Sequence, residues 1–455
     1  MFCDKAITAQ IAQHFADLTF DALTPATVHA TRRALLDALG VMLGASGLSE
    51  DALPYRTHAL AASGPSRLIG FEAATTPSLA ALANGALAHA LDFGDTFDAG
   101  PAHPNAALVP ALLALADADP AIKFSDVITA MAAGSDLACR LSLAPPRAYE
   151  DGGWYPPPLV NLIATAAGCA KLLRLDADGI RNAMGLALMQ GAFPSEIKYD
   201  ATSPLRGVRE GFVARAAVEA ALLAQVGATA FAEPLEGKAG FFAIYGGGPP
   251  TDALLDGLGT AFLGDQVSFK PWPACRGTHP YIEAALALRD TIDLAAIDRI
   301  EAETGPIQEM LIRPQPIKAA PTRAIEAKFS IPYTVAAALL DGAVTLATFL
   351  PARIDDDATR ALAAKVMEVR NPDWTRAHAA SGSLTFVMHD GTRHTHHVMQ
   401  AAGHPDRPIP DSALLAKFAD CAAYAATPIA ALEATRLAQQ ILDFPPDLPA
   451  RNLLD

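Results

Sequence analysis

A chain of 455 residues, 51% of them hydrophobic and many of those alanine, exceeds one ordinary core and predicts two domains, one inserted in the other. Its net charge of −15, from 34 Lys+Arg against 49 Asp+Glu, repels a phosphate backbone or an anionic membrane, so neither nucleic acid nor membrane is an expected partner. No apolar run approaches the roughly 18 to 20 residues that cross a bilayer, which predicts a soluble chain.

The start, MFCDKAITAQIAQHF, lacks the basic and apolar stretches of an export signal, and a cytoplasmic location is expected. Apolar spacings of three, four and seven then predict helices to about residue 265. In LTPATVHATRRALLDALGVMLGAS, Thr24 caps, Pro25 suits the first helical position, and Val28, Leu35, Leu39 and Met42 share a face. Alanine and glycine in ALANGALAHAL and ARAAVEAALLAQVGA predict closely approaching helices. YGGGPPTD, with Gly248 and Pro249, marks a loop.

Near residue 265 the texture changes. IDRIEAET and AKVMEVRNP read as strands, IEAKFSIPYTVAAALLDG as helix, and SLTFVMHDGTRHTHHVMQ as a hairpin turning at Asp390 and Gly391. After about residue 400, DSALLAKFADCAAYA and IAALEATRLAQQILDF are helical again. The expected fold is therefore mainly α: a large helical domain of residues 1–265 and 401–455, with an inserted α+β lid of residues 266–400.

Five cysteines, Cys3, Cys139, Cys169, Cys275 and Cys421, form no C-x-x-C pair and are expected to be reduced thiols. Neither a P-loop nor a G-x-S-x-G elbow occurs, so no nucleotide or serine-hydrolase chemistry is expected. His89, Asp92 and Asp95 crowd one segment and His394, His396 and His397 one strand. On a strand, His397 faces away from the other two, and polar residues at a helix end ordinarily serve as caps, so no metal is expected.

Acid-base chemistry suits HALDFGDTFDAGPAHP better. A histidine exchanges protons near neutral pH, and a loop with Gly94, Gly100 and Pro101 can fold Asp92 and Thr96 onto His103. A helix cap with a solvated loop is the alternative from these residues alone. In FKPWPACRGTHP, Lys270, Arg276 and His279 offer a carboxylate grip beside Trp272 and Cys275, or else a basic surface loop. Tyr155 in GGWYPPPLV can move a proton or pack as a core aromatic. Lys198, Arg206 and Arg209 in SEIKYDATSPLRGVREGFVAR, taken alone, read as a charged helix face.

In this order the segments resemble the MmgE/PrpD family, whose members include 2-methylcitrate dehydratase, cis-aconitate decarboxylase and iminodisuccinate epimerase. NGALAHALDFGDTFDAGPAHPNAALVPALLA, GGWYPPP before ATAAGCAKLLRLD, PLRGVREGFVARAAVEAALLA, FKPWPACRGTHP and EAKFSIPYTVAAALLDG carry the resemblance along nearly the whole chain. It implies a helical domain built from both chain ends, an α+β lid, a homodimer, and a cofactor-free site between the domains for small di- or tricarboxylic acids.

Carried over, Asp92, Thr96 and His103 fall on the family's first catalytic cluster and Lys270 on its lid lysine, with His279 just beyond. Four positions depart: Gly94 for a second aspartate, Tyr155 for histidine, Arg206 for lysine, and Cys275 for the decarboxylase's histidine. A phenol titrates near 10 and an imidazole near 6.5, so the exchange at Tyr155 changes which proton moves at neutral pH. The reading is a hydro-lyase acting on a 2-methylcitrate-like acid. His103 is the base, oriented by Asp92 or Thr96, and Tyr155 the acid or a positioning donor for the departing group. Lys270, Arg206, Cys275, Arg276 and His279 hold the substrate, Asp95 helps, and His89 and Asp98 are structural. An epimerase, a decarboxylase and a non-catalytic carboxylate-binding protein are the alternatives.

Overall fold

Helices begin where a side chain can satisfy the free amides of the first turn. In the computed structural model, which describes residues 7–200 and 203–454, Thr24 Oγ1 accepts from the Thr27 amide at 3.1 Å and Pro25 opens the helix Pro25–Leu48. Leu35, Leu39 and Met42 of this helix are buried and Val28 is half-buried. Cys3 lies outside the described residues; Cys139, Cys169, Cys275 and Cys421 are free thiols.

The molecule is mainly helical, as expected, and divides into two compact units, residues 1–267 with 410–455, and residues 268–409. Among the described residues no helix is long and apolar enough to cross a membrane. In the first unit, the helix Glu210–Gln225 packs on Pro77–Ala90, Pro156–Leu172 and Ala177–Leu188. Gly85 and Gly211 allow the closest of these approaches. A Cβ on Gly85 would stand 2.8 Å from Gly211 Cα, and one on Gly211 would stand 2.4 Å from the Leu82 carbonyl oxygen. The C-terminal helices Asp411–Ala423 and Ala431–Asp443 return onto Pro25–Leu48.

The helical reading up to residue 265 needs correction. Beyond Gln225 only short turns occur, at Phe242–Gly246, Asp252–Leu254 and Leu263–Gln266, because glycines and prolines interrupt the repeat. Arg140, fully buried, orders this stretch instead. Its guanidinium donates to the carbonyls of Asp256 at 2.5 Å and Ala261 at 2.8 Å, while Nε holds Asp136 at 2.7 Å. The sequence also gave no sign of the antiparallel pair β1 (Ser66–Arg67) and β2 (Ala74–Thr75), whose strands are too short to alternate.

The second unit holds β3 (Ile297–Thr304), β4 (Val366–Arg370), β5 (Gly382–Met388) and β6 (Arg393–Val398), in spatial order β4, β3, β5, β6. β3 is parallel to β4 and antiparallel to β5, which is antiparallel to β6. Ile300, Ala302, Leu384 and Phe386 face the core, with Tyr281 and the helix Ile331–Asp341. At the hairpin tip Gly391 has φ +86°, and the Asp390 carboxylate accepts from the Thr392 amide at 2.8 Å. His394 and His396 pair with Phe386 and Leu384, and His397 with Ser383, so the histidines split between two faces.

IEAKFSIPYTVAAALLDG is two helices, Ala324–Lys328 and Ile331–Asp341, and not one. Ser330 caps the second through the Tyr333 amide at 3.0 Å, and Pro332 cannot continue the first. Residues 401–409 stay with the second unit: the Ala401 amide bonds the Ala380 carbonyl, and the Phe269 amide bonds the Gly403 carbonyl, each at 3.2 Å.

Candidate active site

The helix Pro77–Ala90 ends in the segment 89–104, and its stop is abrupt. Asp92 has φ +49°, a left-handed conformation that side chains other than glycine rarely adopt, with its amide bonded to the His89 carbonyl at 2.9 Å. His89 Nε2 lies 3.3 Å from Asp92 Oδ1, and both side chains are buried. The chain then folds back on itself: the Phe97 amide bonds the Ala102 carbonyl at 3.0 Å and closes a loop over Asp98 to Pro101. That closure returns His103 to the start of the segment.

His103 Nδ1 lies 2.9 Å from the Asp95 carbonyl oxygen. A carbonyl only accepts, so neutral His103 carries its proton on Nδ1 and presents a lone pair on Nε2. The His103 and His89 rings stand 4.8 Å apart. The His103 carbonyl accepts from Asn161 Nδ2 at 2.9 Å. Thr96 is buried in the same loop. The structure thus gives His103 a backbone acceptor at Asp95, and gives the Asp92 carboxylate to His89, which sequence reasoning had set aside as structural.

The Asp95 carboxyl is buried and takes the Asn105 side-chain amide at 2.8 Å. Burial pushes it up to about 7, against its ordinary value of 3.8, with the Asp37 carboxylate adding to the effect and Asn105 and Lys417 opposing it. Between about pH 4 and pH 7 the native state holds one proton more than the unfolded chain, so stability falls as pH rises through that window and is level above it. Asp95→Asn removes this slope. Its melting temperature is expected to gain on the wild type between pH 5 and pH 8; a gap that stays constant over that range would assign the titration elsewhere.

Two residues absent from the sequence reading hold the loop from beneath. Lys417 Nζ donates to the Phe93 carbonyl at 2.5 Å, lies 2.6 Å from Asp37 Oδ1, and sits 3.9 Å over the Phe93 ring. All three side chains are buried. Their signal was present but faint: Lys417 falls on the stripe of Leu414, Phe418 and Cys421, and Asp37 interrupts the run ALLDALG.

Tyr155 is set by the turn before it. Gly153 adopts φ +80°, and the Tyr155 amide bonds the Phe193 carbonyl at 2.8 Å. Arg209 Cζ and Lys198 Nζ stand 5.1 and 5.3 Å from the centre of the Tyr155 ring. The charged-face reading of this stretch fails for Arg209, which is 2% exposed, and for Glu210, which is 0% exposed. Arg209 Nε lies 3.0 Å from Glu210 Oε1, and Glu210 Oε2 accepts from Asn161 at 3.2 Å. Asn161 therefore links the Tyr155 cluster to His103. Burial holds the Glu210 carboxyl above its ordinary value although Arg209 opposes this. Arg206 is half-buried, and its carbonyl accepts from Arg209 Nη1.

In the second unit, Lys270, Arg276 and His279 are buried and Cys275 is half-buried, which excludes a basic surface loop. Arg276 reaches the carbonyls of Ala402 at 2.7 Å and Ala401 at 3.2 Å. His279 Nε2 lies 3.1 Å from the Ala274 carbonyl, its Nδ1 3.5 Å from Arg276, and its ring 5.2 Å from Trp272. These contacts of Arg276 and His279 brace the segment itself. The Cys275 amide bonds the Lys328 carbonyl at 3.0 Å, which draws a further buried lysine beside the group. Among the described residues no group of three or more His, Cys, Asp or Glu side chains is placed to hold a metal ion.

The chain is 29% identical to a cis-aconitate decarboxylase of Mus musculus over 91% of its own length and 86% of the relative's. The Homo sapiens cis-aconitate decarboxylase is 28% identical, with 91% and 87% covered, and that of Aspergillus terreus 24%, with 91% and 89% covered. The MmgE/PrpD N-terminal domain model matches residues 9–254 and the C-terminal domain model residues 272–441, so the chain belongs to the MmgE/PrpD family.

Proposed function

We propose that this protein is an acid-base lyase that removes a proton next to a carboxylate of a small di- or tricarboxylic acid and expels water. One observation carries the reading: the contact of His103 Nδ1 with the Asp95 carbonyl, which puts the basic lone pair of the neutral ring on Nε2 of a half-buried side chain at the end of a folded-back loop. The C–H proton passes to Nε2, the electron pair forms the new C=C bond, and the C–O bond breaks as the Tyr155 hydroxyl protonates the departing hydroxide. Solvent returns a proton to Tyr155 and takes one from His103.

Lys270, with Arg206, supplies positive charge for the carboxylates and for the enediolate-like oxygens that develop as the proton leaves. Asp92 and Thr96 complete the proton-handling loop. The contacts of Arg276 and His279 support a bracing role for both. The reading needs no metal or cofactor, and it takes the enzyme as a homodimer, as the family resemblance implies, working in the cytoplasm. Loss of CO2 in place of water is the second reading, favoured by the names of the relatives that cover nine-tenths of the chain.

A panel of citrate, 2-methylcitrate, cis-aconitate and iminodisuccinate in deuterium oxide, followed by NMR, tests the reading. A new alkene with release of water is the expected result, unchanged after treatment with a chelator. Gas release would move the enzyme to the second reading, and label without net change would make it an epimerase. If no acid exchanges a proton, the lyase reading falls.

A further inference from the structure

The helix Glu210–Gln225 is packed within the first unit on Pro77–Ala90, Pro156–Leu172 and Ala177–Leu188, and it turns one stripe outward. Phe212, Arg215, Glu219 and Leu222, at spacings of three and four, run along that stripe, and all four are exposed or half-buried. A helix face that met only water would be polar throughout. Here its two ends are apolar: Phe212 is 37% exposed, Leu223 48%, and Val226, just past the last turn, 80%. The Tyr55 ring meets Phe212 edge-on with centres 5.7 Å apart, which widens the apolar ground at one end.

The middle of the stripe is charged. Arg215 Nε lies 3.8 Å from Glu219 Oε1, and both side chains reach solvent. A chain of net charge −15 repels its own copies on average, so self-association needs ground where the two signs balance. They balance here, with Arg215 against Glu219 on the helix, and Arg209 and Arg215 against Glu196 and Asp200 in the lining of the adjoining pocket. The order along the stripe is apolar, basic, acidic, apolar. Turned end for end, that order presents an acid to each base and an apolar group to each apolar group, as a two-fold interface requires.

We infer that this face docks a second copy of the chain, the two helices antiparallel about a two-fold axis level with Ala217. Arg215 of each copy then faces Glu219 of the other, and Phe212 faces Leu222. This gives a surface to the homodimer of the proposed function and rests on that part of it. Phe212 and Arg215 also line a pocket of about 480 Å³ beside Tyr155, so the second copy walls that pocket.

Sedimentation velocity of the full-length protein tests this. The wild type is expected to sediment as a dimer. Arg215→Glu and Glu219→Arg each put a single sign on all four facing positions, and each is expected to weaken the dimer by about 100-fold or more. An equimolar mixture of the two variants is expected to restore it, because each acid then faces a base, and only across the two chains. Phe212→Glu, at an exposed position, is expected to give monomers that stay folded by circular dichroism. A wild type that is monomeric at every concentration overturns the inference together with the homodimer reading. Charge variants that stay dimeric, a mixture of folded variants that stays monomeric, or a folded and dimeric Phe212→Glu overturns the inference alone. If the variants separate and recombine as expected but no acid exchanges a proton in deuterium oxide, the lyase reading fails and the docking surface stands.

Discussion

His103→Gln is expected to lower turnover by roughly 10²- to 10⁴-fold, the range that a well-placed general base contributes. The fold should survive. Loss of the side chain's hydrogen bond to the Asp95 carbonyl costs about 1 kcal/mol, and the loop keeps its closure between Phe97 and Ala102. Steady-state rates together with thermal melting separate the two effects. A variant within tenfold of wild-type turnover would remove His103 from the chemistry. Tyr155→Phe gives the complementary result: proton exchange at the substrate carbon persists while water loss falls, because the phenol acts on the leaving group and not on the C–H bond. Parallel loss of both would place Tyr155 with the base.

Lys417→Met is expected to have the largest effect on stability, about 3 to 5 kcal/mol, the usual result of stripping a buried charge of its partner. The buried Asp37 carboxylate would lose the ammonium 2.6 Å from its Oδ1, and the Phe93 carbonyl would lose that donor. Activity should fall as well, because Phe93 adjoins Asp92, whose left-handed backbone the surroundings must hold in place. The double variant Asp37→Asn with Lys417→Met removes both charges and is expected to recover part of the loss. Urea unfolding of the two single variants and the double variant measures the coupling. Additive losses would mean that Lys417 and Asp37 act separately.

The same pair touches the proton chemistry. Lys417 opposes the rise of the Asp95 carboxyl and Asp37 promotes it, so Lys417→Met drives Asp95 further toward its neutral form. The buried pair thus links the C-terminal return of the chain to the loop that carries His103.

Much of this was legible before the fold. Thr24 and Pro25 announce a helix start, Asp390 and Gly391 a hairpin, and Asp92 to His103 a polar segment with glycines that let it fold back. Each signal acts over a few residues, because caps, turns and helical hydrogen bonds join near neighbours in the chain. The stretch after Gln225 was misread because alanine and leucine keep a helical texture even where Gly247, Gly257 and Gly259 turn the backbone through positive φ.

The sequence by itself determined the helical body, the inserted α+β unit, the family, and which polar segments were worth watching. Only the tertiary structure decided how those segments are wired. It gave His103 to the Asp95 carbonyl, Asp92 to His89, and Lys417 to Asp37, and it turned Arg209 inward under Tyr155. Asp37 and Lys417 stand 380 positions apart in the chain, and no local pattern pairs them. Their partnership follows from burial: once the helices pack, a charge shut away from water must find its opposite, and only the packing decides which one lies within reach.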